Sequence, residues 1–189
     1  KYRARPKKQK FKMTEQNLTI QKNKYDKTGE CLQTGLGAEQ LFDQIAESKS
    51  LEIKNAKRRE NMQKHIDKYV TENGETWSVD IKARKKTSRS NSQAQDDWIW
   101  IEFQNVRGNT GWLYGDADRI AFETQDNFTI VEKDSLIKYV ENVVDMGKSV
   151  KYSSQAQYRT YRRAGRNDLL TMVELSEIKK NCKHFVWEK

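Results

Sequence analysis

The sequence predicts a mixed α/β domain, and three observations support that fold class. An apolar stripe with helical spacing comes early in the chain, formed by Ala38, Leu41, Phe42, Ile45 and Ala46. Two runs with a period of two then flank an Asn-Gly pair, which is typical of a β-hairpin. More strand-like runs and a second helical stripe follow. This order of elements predicts a mixed central sheet flanked by helices.

The elements follow one another along what we interpret as a single domain, residues 31–189. Residues 1–30 are polar and contain the only proline, so we expect a basic, flexible N-terminal arm. Helices are predicted from residue 37 and over 136–144, with a short one near the C-terminus. The polar, basic segment 49–62 is expected to be a connector or an exposed helix, and 147–167 is also polar and basic. Strands are predicted over the alternating or β-branched runs, namely 65–70, 76–82, 98–106, 118–123, 128–131 and 169–175.

Composition excludes several classes of protein. The chain has 189 residues, the size of one ordinary domain, and no apolar run approaches the roughly 20 residues of a membrane span. The two cysteines, Cys31 and Cys182, match no zinc spacing and no disulfide framework. The basic N-terminus has no apolar segment after it, so we expect a cytoplasmic protein without a secretory signal. Of the net charge of +9, residues 1–12 carry +7, so the charge alone indicates no partner.

Strand alternation brings acidic side chains and a lysine together. Asp80 and Lys82 lie on one face of the strand at 76–82, opposite its apolar residues. If the neighbouring strands pair with their core faces aligned, Asp67, Glu102 and Gln104 join them on one surface. Carboxylates are the ligands that Mg²⁺ prefers, and a bound metal activates water for attack on a phosphate. A nearby lysine can stabilise the developing charge. The pattern therefore favours metal-assisted hydrolysis.

These residues resemble the motif of the PD-(D/E)XK nuclease superfamily. Ile66-Asp67 is followed, across the Asn-Gly hairpin, by Asp80-Ile81-Lys82. The resemblance covers roughly residues 35–145 and implies a restriction-endonuclease-like αβββαβ core. Trp100-Ile101-Glu102-Phe103 and the glycine-rich segment 111–115 are similar to small phage-encoded members and to Holliday-junction-resolvase-like nucleases. One departure is Ile66, which replaces the motif's proline.

The resemblance also implies roles for individual residues. Asp67 and Asp80 would be ligands of Mg²⁺ or Mn²⁺, Lys82 the catalytic lysine, and Glu39 an auxiliary metal ligand from the preceding helix. Glu39 has a purely structural alternative, because an acid in the first turn of a helix is favoured by the helix dipole.

A second register of the motif stays open. In it Asp80 is the first acid, and Glu102-Phe103-Gln104 is the acid-x-Gln variant of the motif's second half. We prefer the first register, because its hairpin is tight and it retains the lysine. Both registers use Asp80, and Glu102 and Gln104 remain catalytic candidates.

Basic residues are the candidates for contact with nucleic acid, because arginine binds phosphates with paired hydrogen bonds and tyrosine can stack on exposed bases. A solvated charged face explains the same pattern. The candidates extend from the proposed site or alternate with tyrosines near residue 160, and they are Arg84, Lys85, Lys86, Arg159, Arg162, Arg163 and Arg166.

The function expected from the sequence is a Mg²⁺-dependent nuclease, an endonuclease that hydrolyses DNA. Two alternatives are a catalytically inactive nucleic-acid-binding or interaction module on the same fold, and an enzyme that cleaves RNA. We expect no membrane partner. A homodimer is among the expected assemblies, since many relatives cut two strands with two sites. If the protein is phage-encoded, its expected location is the host cytoplasm.

Overall fold

A computed structural model describes residues 28–88, 91 and 93–189, and it confirms the mixed α/β class. The predicted N-terminal arm lies outside the described residues except for its last three. Four helices are present in the described chain: α1 (Glu30–Ser48), α2 (Arg58–Lys64), α3 (Lys133–Val143) and α4 (Leu175–Asn181). Its ten strands are β1 (Glu52–Asn55), β2 (Lys68–Glu72), β3 (Glu75–Lys82), β4 (Trp98–Gln104), β5 (Arg119–Glu123), β6 (Asn127–Glu132), β7 (Asp145–Val150), β8 (Arg159–Tyr161), β9 (Leu169–Glu174) and β10 (His184–Glu188).

The larger sheet has six strands in the order β1-β2-β3-β5-β6-β10. All neighbours are antiparallel except β3 and β5, which are parallel. The β2–β3 hairpin was predicted correctly: Asn73 and Gly74 both adopt positive φ angles, 51° and 84°, which a tight hairpin turn requires. Helix α1 covers one face of this sheet, where Phe42 packs edge-on against Phe128 and is fully buried.

The opposite face of the larger sheet packs against a second layer. That layer contains a four-stranded sheet in the order β4-β9-β8-β7, together with α3 and α4. Ile120 and Phe122 of β5 point into this second core, whereas Ala121 between them points toward α1. Because the two faces of each strand serve different cores, polar side chains on the second face of β3 lie between the layers instead of in solvent.

Several elements differ from the prediction. The segment 49–62 contains the exposed helix α2, one of the two structures expected there, but also strand β1, which was not expected. The polar segment 147–167 contains most of β7, a 3₁₀ turn at Ser153–Gln155 and β8. Strand β10 follows the predicted short terminal helix. The predicted strand at 98–106 exists as β4, but it pairs with β9 and not with β3. The expectation that it shares one surface with the strand at 76–82 was therefore wrong, because β5 occupies the edge of β3.

In the part of the chain that the structure describes, no helix is long and apolar enough to cross a membrane.

Candidate active site

Asp80 is the most buried acid of the predicted site. It lies near the end of β3, on the face that points away from α1, and only 2% of its surface is exposed. One carboxylate oxygen, Oδ1, lies 2.5 Å from the Nζ of Lys82. The other, Oδ2, is buried without a hydrogen-bond partner. A buried carboxylate oxygen without a partner is costly in a folded protein, and such sites often serve a ligand.

The environment of Asp80 favours its protonated form. Burial raises the pKa of Asp80 to about 7, and the neighbouring charge of Lys82 lowers it less than burial raises it. The charge of Asp67 raises the pKa of Asp80 further, as a nearby like charge does. Two carboxyl groups that influence each other in this way must lie close together.

Asp67 is held beside Asp80 by the ends of two strands. It immediately precedes β2, where its backbone amide donates a 2.8 Å hydrogen bond to the carbonyl of Val79. Its Oδ2 accepts a 2.7 Å hydrogen bond from the backbone amide of Ile81, and its Oδ1 accepts one from the side chain of Asn61 on α2. These bonds orient the carboxylate. The first register of the motif therefore corresponds to an actual antiparallel hairpin, with Lys68 opposite Val79.

Lys82 lies at the centre of the cluster. Its Nζ lies 5.2 Å from the centre of the Trp112 ring, a distance at which a cation is attracted to an aromatic face. Glu102 reaches the same region from β4 in the second sheet: burial raises the pKa of Glu102, while the charge of Lys82 opposes that shift. His65 also borders the cluster, since burial lowers its pKa and the charge of Lys82 lowers it further.

Glu39 approaches the cluster from α1 on the other face of the larger sheet. Burial raises the pKa of Glu39, and the charge of Asp67 adds to the increase. Its carboxylate lies 3.7 Å from the Nζ of Lys68, a buried lysine that is only 4% exposed. Lys68 also donates hydrogen bonds to Asp43, at 2.8 Å, and to Asn55, at 2.6 Å. Glu39 is thus part of an ion-pair network as well as a neighbour of Asp67.

The remaining two catalytic candidates, Glu102 and Gln104, have different surroundings. Glu102 accepts a hydrogen bond from the backbone of Trp112 and lies near Lys82. Gln104, two residues further along β4, instead accepts a 3.3 Å hydrogen bond from Arg162. The β3–β4 hairpin that the second register requires is not formed, because β4 pairs with β9. Glu102 nevertheless joins the cluster, across the gap between the two sheets.

The basic candidates after β3 border the cluster. Arg84 forms an ion pair with Asp96, with 2.6 Å between Nε and Oδ1. Lys85 and Lys86 are exposed, and the carbonyl of Lys86 accepts a 3.1 Å hydrogen bond from the Trp100 side chain. This segment is therefore anchored to β4, and Lys86 presents positive charge, whereas burial and the charge of Lys82 lower the pKa of Lys85.

The basic candidates near residue 160 have mainly structural contacts. Arg163 forms an ion pair with the fully buried Asp168, and the guanidinium of Arg162 donates to the carbonyls of Asn167, at 2.9 Å, and Asp168, at 3.3 Å. These bonds close the loop between β8 and β9. Arg159 on β8 is exposed, and Arg166 lies within the loop.

Two contributors were missed in the sequence. Lys68 has the same strand parity as the core residue Val70, so alternation already indicated that its side chain points inward. Trp112 belongs to a 3₁₀ turn, Trp112–Tyr114, which is fixed because Gly111 crosses β4 closely. A Cβ at Gly111 would lie 2.2 Å from the carbonyl oxygen of Glu102. This approach is a tertiary contact that no local pattern indicates.

Among the described residues, no group of three or more His, Cys, Asp or Glu side chains is arranged to hold a metal ion. The nearest carboxylates are those of Asp67 and Asp80, and the Oδ2 of Asp80 has no hydrogen-bond partner. Neither a protein-family model nor a curated protein nor a solved structure matches the chain.

Proposed function

We propose that the protein is a Mg²⁺-dependent nuclease that hydrolyses phosphodiester bonds of DNA, with a restriction-endonuclease-like core. The observation that carries the proposal is the pair of neighbouring carboxylates, Asp67 and Asp80, with Lys82 beside them. A buried acid whose pKa is shifted and which has a specific charged partner is typical of functional sites.

The arrangement of the larger sheet supports the core of the proposal. Helix α1 precedes three antiparallel strands, β1 to β3, and β5 lies parallel to β3. A helix followed by three antiparallel strands is in line with the start of the proposed αβββαβ core, but the short helix α2 lies between β1 and β2, and β1 was not among the strands expected from the sequence. The connection from β3 to β5 differs, because it runs through β4 and a 3₁₀ turn instead of a helix.

The donor set fits Mg²⁺, which protein sites commonly hold with one or two carboxylates while water and substrate phosphates complete its shell. Asp67 and the Oδ2 of Asp80 would hold the ion, and Glu39, whose pKa is raised by burial and by the charge of Asp67, would be an auxiliary ligand. The bound ion would supply a water of lowered pKa and neutralise charge on the phosphate.

The chain's own residues would orient the substrate and stabilise its charge. Lys82 would donate a hydrogen bond from Nζ to a phosphate oxygen, and its position is held by Asp80 and by the ring of Trp112. Glu102, whose pKa is raised by burial, would donate its proton to the leaving oxygen of the phosphodiester bond that is cut. Lys85 and Lys86 would contact flanking phosphates from the adjacent exposed segment.

The test is cleavage of supercoiled plasmid, linear duplex, single-stranded DNA and matched RNA, with Mg²⁺ or with EDTA. We expect Asp80→Asn and Asp67→Asn to abolish cleavage and Lys82→Gln to reduce it about a hundred-fold. The control is Asp116→Asn, which removes an acid that is 61% exposed and paired only loosely with Lys64, at 3.6 Å. Thermal unfolding verifies that each variant is folded.

Each outcome identifies one function. Cleavage that needs both the metal and Asp80 supports the nuclease, and the DNA and RNA arms decide between the two sugars. Binding in EDTA that survives Asp80→Asn, with no cleavage of any substrate by the wild type, contradicts the proposal. That result would identify an inactive nucleic-acid-binding module on the same fold.

A further inference from the structure

A cavity of about 580 Å³ lies on the smaller sheet, outside the carboxylate cluster. Its walls come from β4, β8, β9, the segment around the 3₁₀ turn at Ser153–Gln155, and the loop between β3 and β4, which contributes Thr87, Ser88 and Asn91. Three aromatic side chains, Trp98, Tyr152 and Tyr161, line it together with Lys151 and Gln157. The volume is within the range of cavities that bind small ligands, and one nucleotide is of that size.

The lining has the chemistry of a nucleotide site. Aromatic faces stack on bases of any sequence, and hydroxyl and amide groups provide donors and acceptors for base edges. The Nζ of Lys151 lies 5.6 Å from the ring centre of Tyr152, which places a positive charge beside an aromatic ring. Within the described part of the lining there is no Asp or Glu, so an anionic ligand meets no charge repulsion there.

Trp98 connects this cavity to the candidate active site. The same side chain lines a second, narrower cleft, whose other walls include Lys82, Arg84 and Trp100. Trp98, Trp100 and Glu102 alternate along β4 and share one face of it. At about 3.3 Å per residue, the four steps along the strand from Trp98 to Glu102 span about 13 Å.

We infer that the cavity binds an unpaired nucleotide of the substrate strand, with its base against the aromatic wall and its phosphate near Lys151. The inference rests on the proposed function for the identity of the ligand as DNA. A stacked strand rises 3.4 Å per nucleotide, so 13 Å corresponds to about four nucleotides. The nucleotide in the cavity would therefore lie about four nucleotides or fewer from the bond that is cut. A duplex keeps its bases stacked on each other, so only a single-stranded or extruded nucleotide enters.

The test measures affinity in EDTA, where turnover plays no part. The probes are fluorescein-labelled DNA hairpins with the same stem, one fully paired and one with a three-nucleotide single-stranded overhang, and binding is followed by fluorescence anisotropy. The variants are Trp98→Leu and Lys151→Gln. The matched control is Lys148→Gln, which removes the same charge from a lysine of β7 that lies outside the cavity and pairs with Asp145 at 3.6 Å.

We expect the wild type to bind the overhang probe more tightly than the paired probe. Trp98→Leu should lower affinity for the overhang about ten-fold and leave the paired probe unchanged, since one base loses its stacking partner. Lys151→Gln should lower the affinity for the overhang probe more than Lys148→Gln does. Because Lys151 is exposed, its variant tests the inference even if Trp98→Leu is unfolded in the thermal scan.

The inference and the proposed function fail separately. Equal affinity of the wild type for both probes, or equal losses on both probes in the variants, would overturn the inference even if the protein cleaves DNA with Mg²⁺. Overhang binding that depends on Trp98 and Lys151 would support it, even if no substrate is cleaved and the nuclease proposal is wrong.

Discussion

Relative to the wild type, Asp80→Asn should have a higher free energy of unfolding at pH 8. At pH 5 the difference should be much less in favour of the variant. Asp80 is 2% exposed and its pKa is about 7 in the folded protein, whereas the carboxyl of an unfolded aspartate has a pKa near 3.9. Between these two values the unfolded chain has released the proton and the folded chain still holds it. The wild type therefore loses stability as pH rises from about 4 to about 7, and above pH 7 the loss is constant.

The magnitude follows from the size of the pKa shift. Each pH unit between the two pKa values changes the free energy of unfolding by about 1.4 kcal/mol. From pH 5 to pH 8 the wild type should lose about 3 kcal/mol relative to Asp80→Asn, which has no proton to release at this position. For a domain of this size that difference corresponds to roughly 6–12 °C in Tm.

The assay is urea unfolding in EDTA, followed by tryptophan fluorescence at pH 5, 6, 7 and 8. Both the carboxyl and the amide are buried polar groups beside Lys82, so the pH-dependent part of the difference isolates ionisation. Asp116→Asn serves as the control, because it removes an exposed carboxyl from the same chain. The comparison needs the same value of m, the slope of the free energy of unfolding against urea concentration, in all variants.

If the difference in the free energy of unfolding between wild type and Asp80→Asn stays the same from pH 5 to pH 8, the pKa of about 7 for Asp80 is contradicted. That result would mean that Asp80 is ionised throughout this range, so that the attraction of Lys82 outweighs the cost of burial. A difference that falls with rising pH would contradict the sign of the argument.

Three further predictions concern Gly111, Gly37 and Lys68. Gly111→Ala should destabilise the protein by about 3 kcal/mol in urea unfolding, because its Cβ would collide with the backbone of Glu102. Gly37 lies in α1 with open space where a Cβ would be added, so Gly37→Ala should stabilise the protein by about 0.5–1 kcal/mol. A lower free energy of unfolding in this variant would contradict a helical conformation at residue 37. Lys68→Met should cost about 3 kcal/mol, since it removes the cation that pairs with Asp43. Adding Asp43→Leu should recover at least half of that loss, and no recovery would show that the ion pair is not the cause.

Local chemistry made part of the fold predictable. The Asn73-Gly74 turn was identified because both positive φ angles suit these two residues and few others. Alternation in β3 placed Asp80 and Lys82 on one face, which the backbone of a strand imposes whatever its partner. The apolar stripe of α1 was predicted for the same kind of reason, although the helix begins at Glu30, before the stripe itself.

Of the four strands that escaped prediction, all but β8 lie at the edges of the sheets. β1 and β10 are the two edges of the larger sheet, and β7 is an edge of the smaller one. β7 is exposed along nearly all its length, so it shows no alternation that a pattern could detect. Edge strands are stabilised on one side by their neighbour, and that neighbour is distant in sequence.

Local patterns were sufficient to predict the hairpin, the helix before it, and the shared face of Asp80 and Lys82. These features depend on turn chemistry and on the period of a strand, which act over a few residues. Asp67 joins Asp80 through the pairing of the hairpin strands, and contacts between distant parts of the chain put β5 and not β4 beside β3 and bring Glu102 to Lys82 from a separate sheet. Alternation along a strand predicts which of its side chains share a face. It does not predict which other strand pairs with it, because pairing depends on how two cores formed by distant parts of the chain pack.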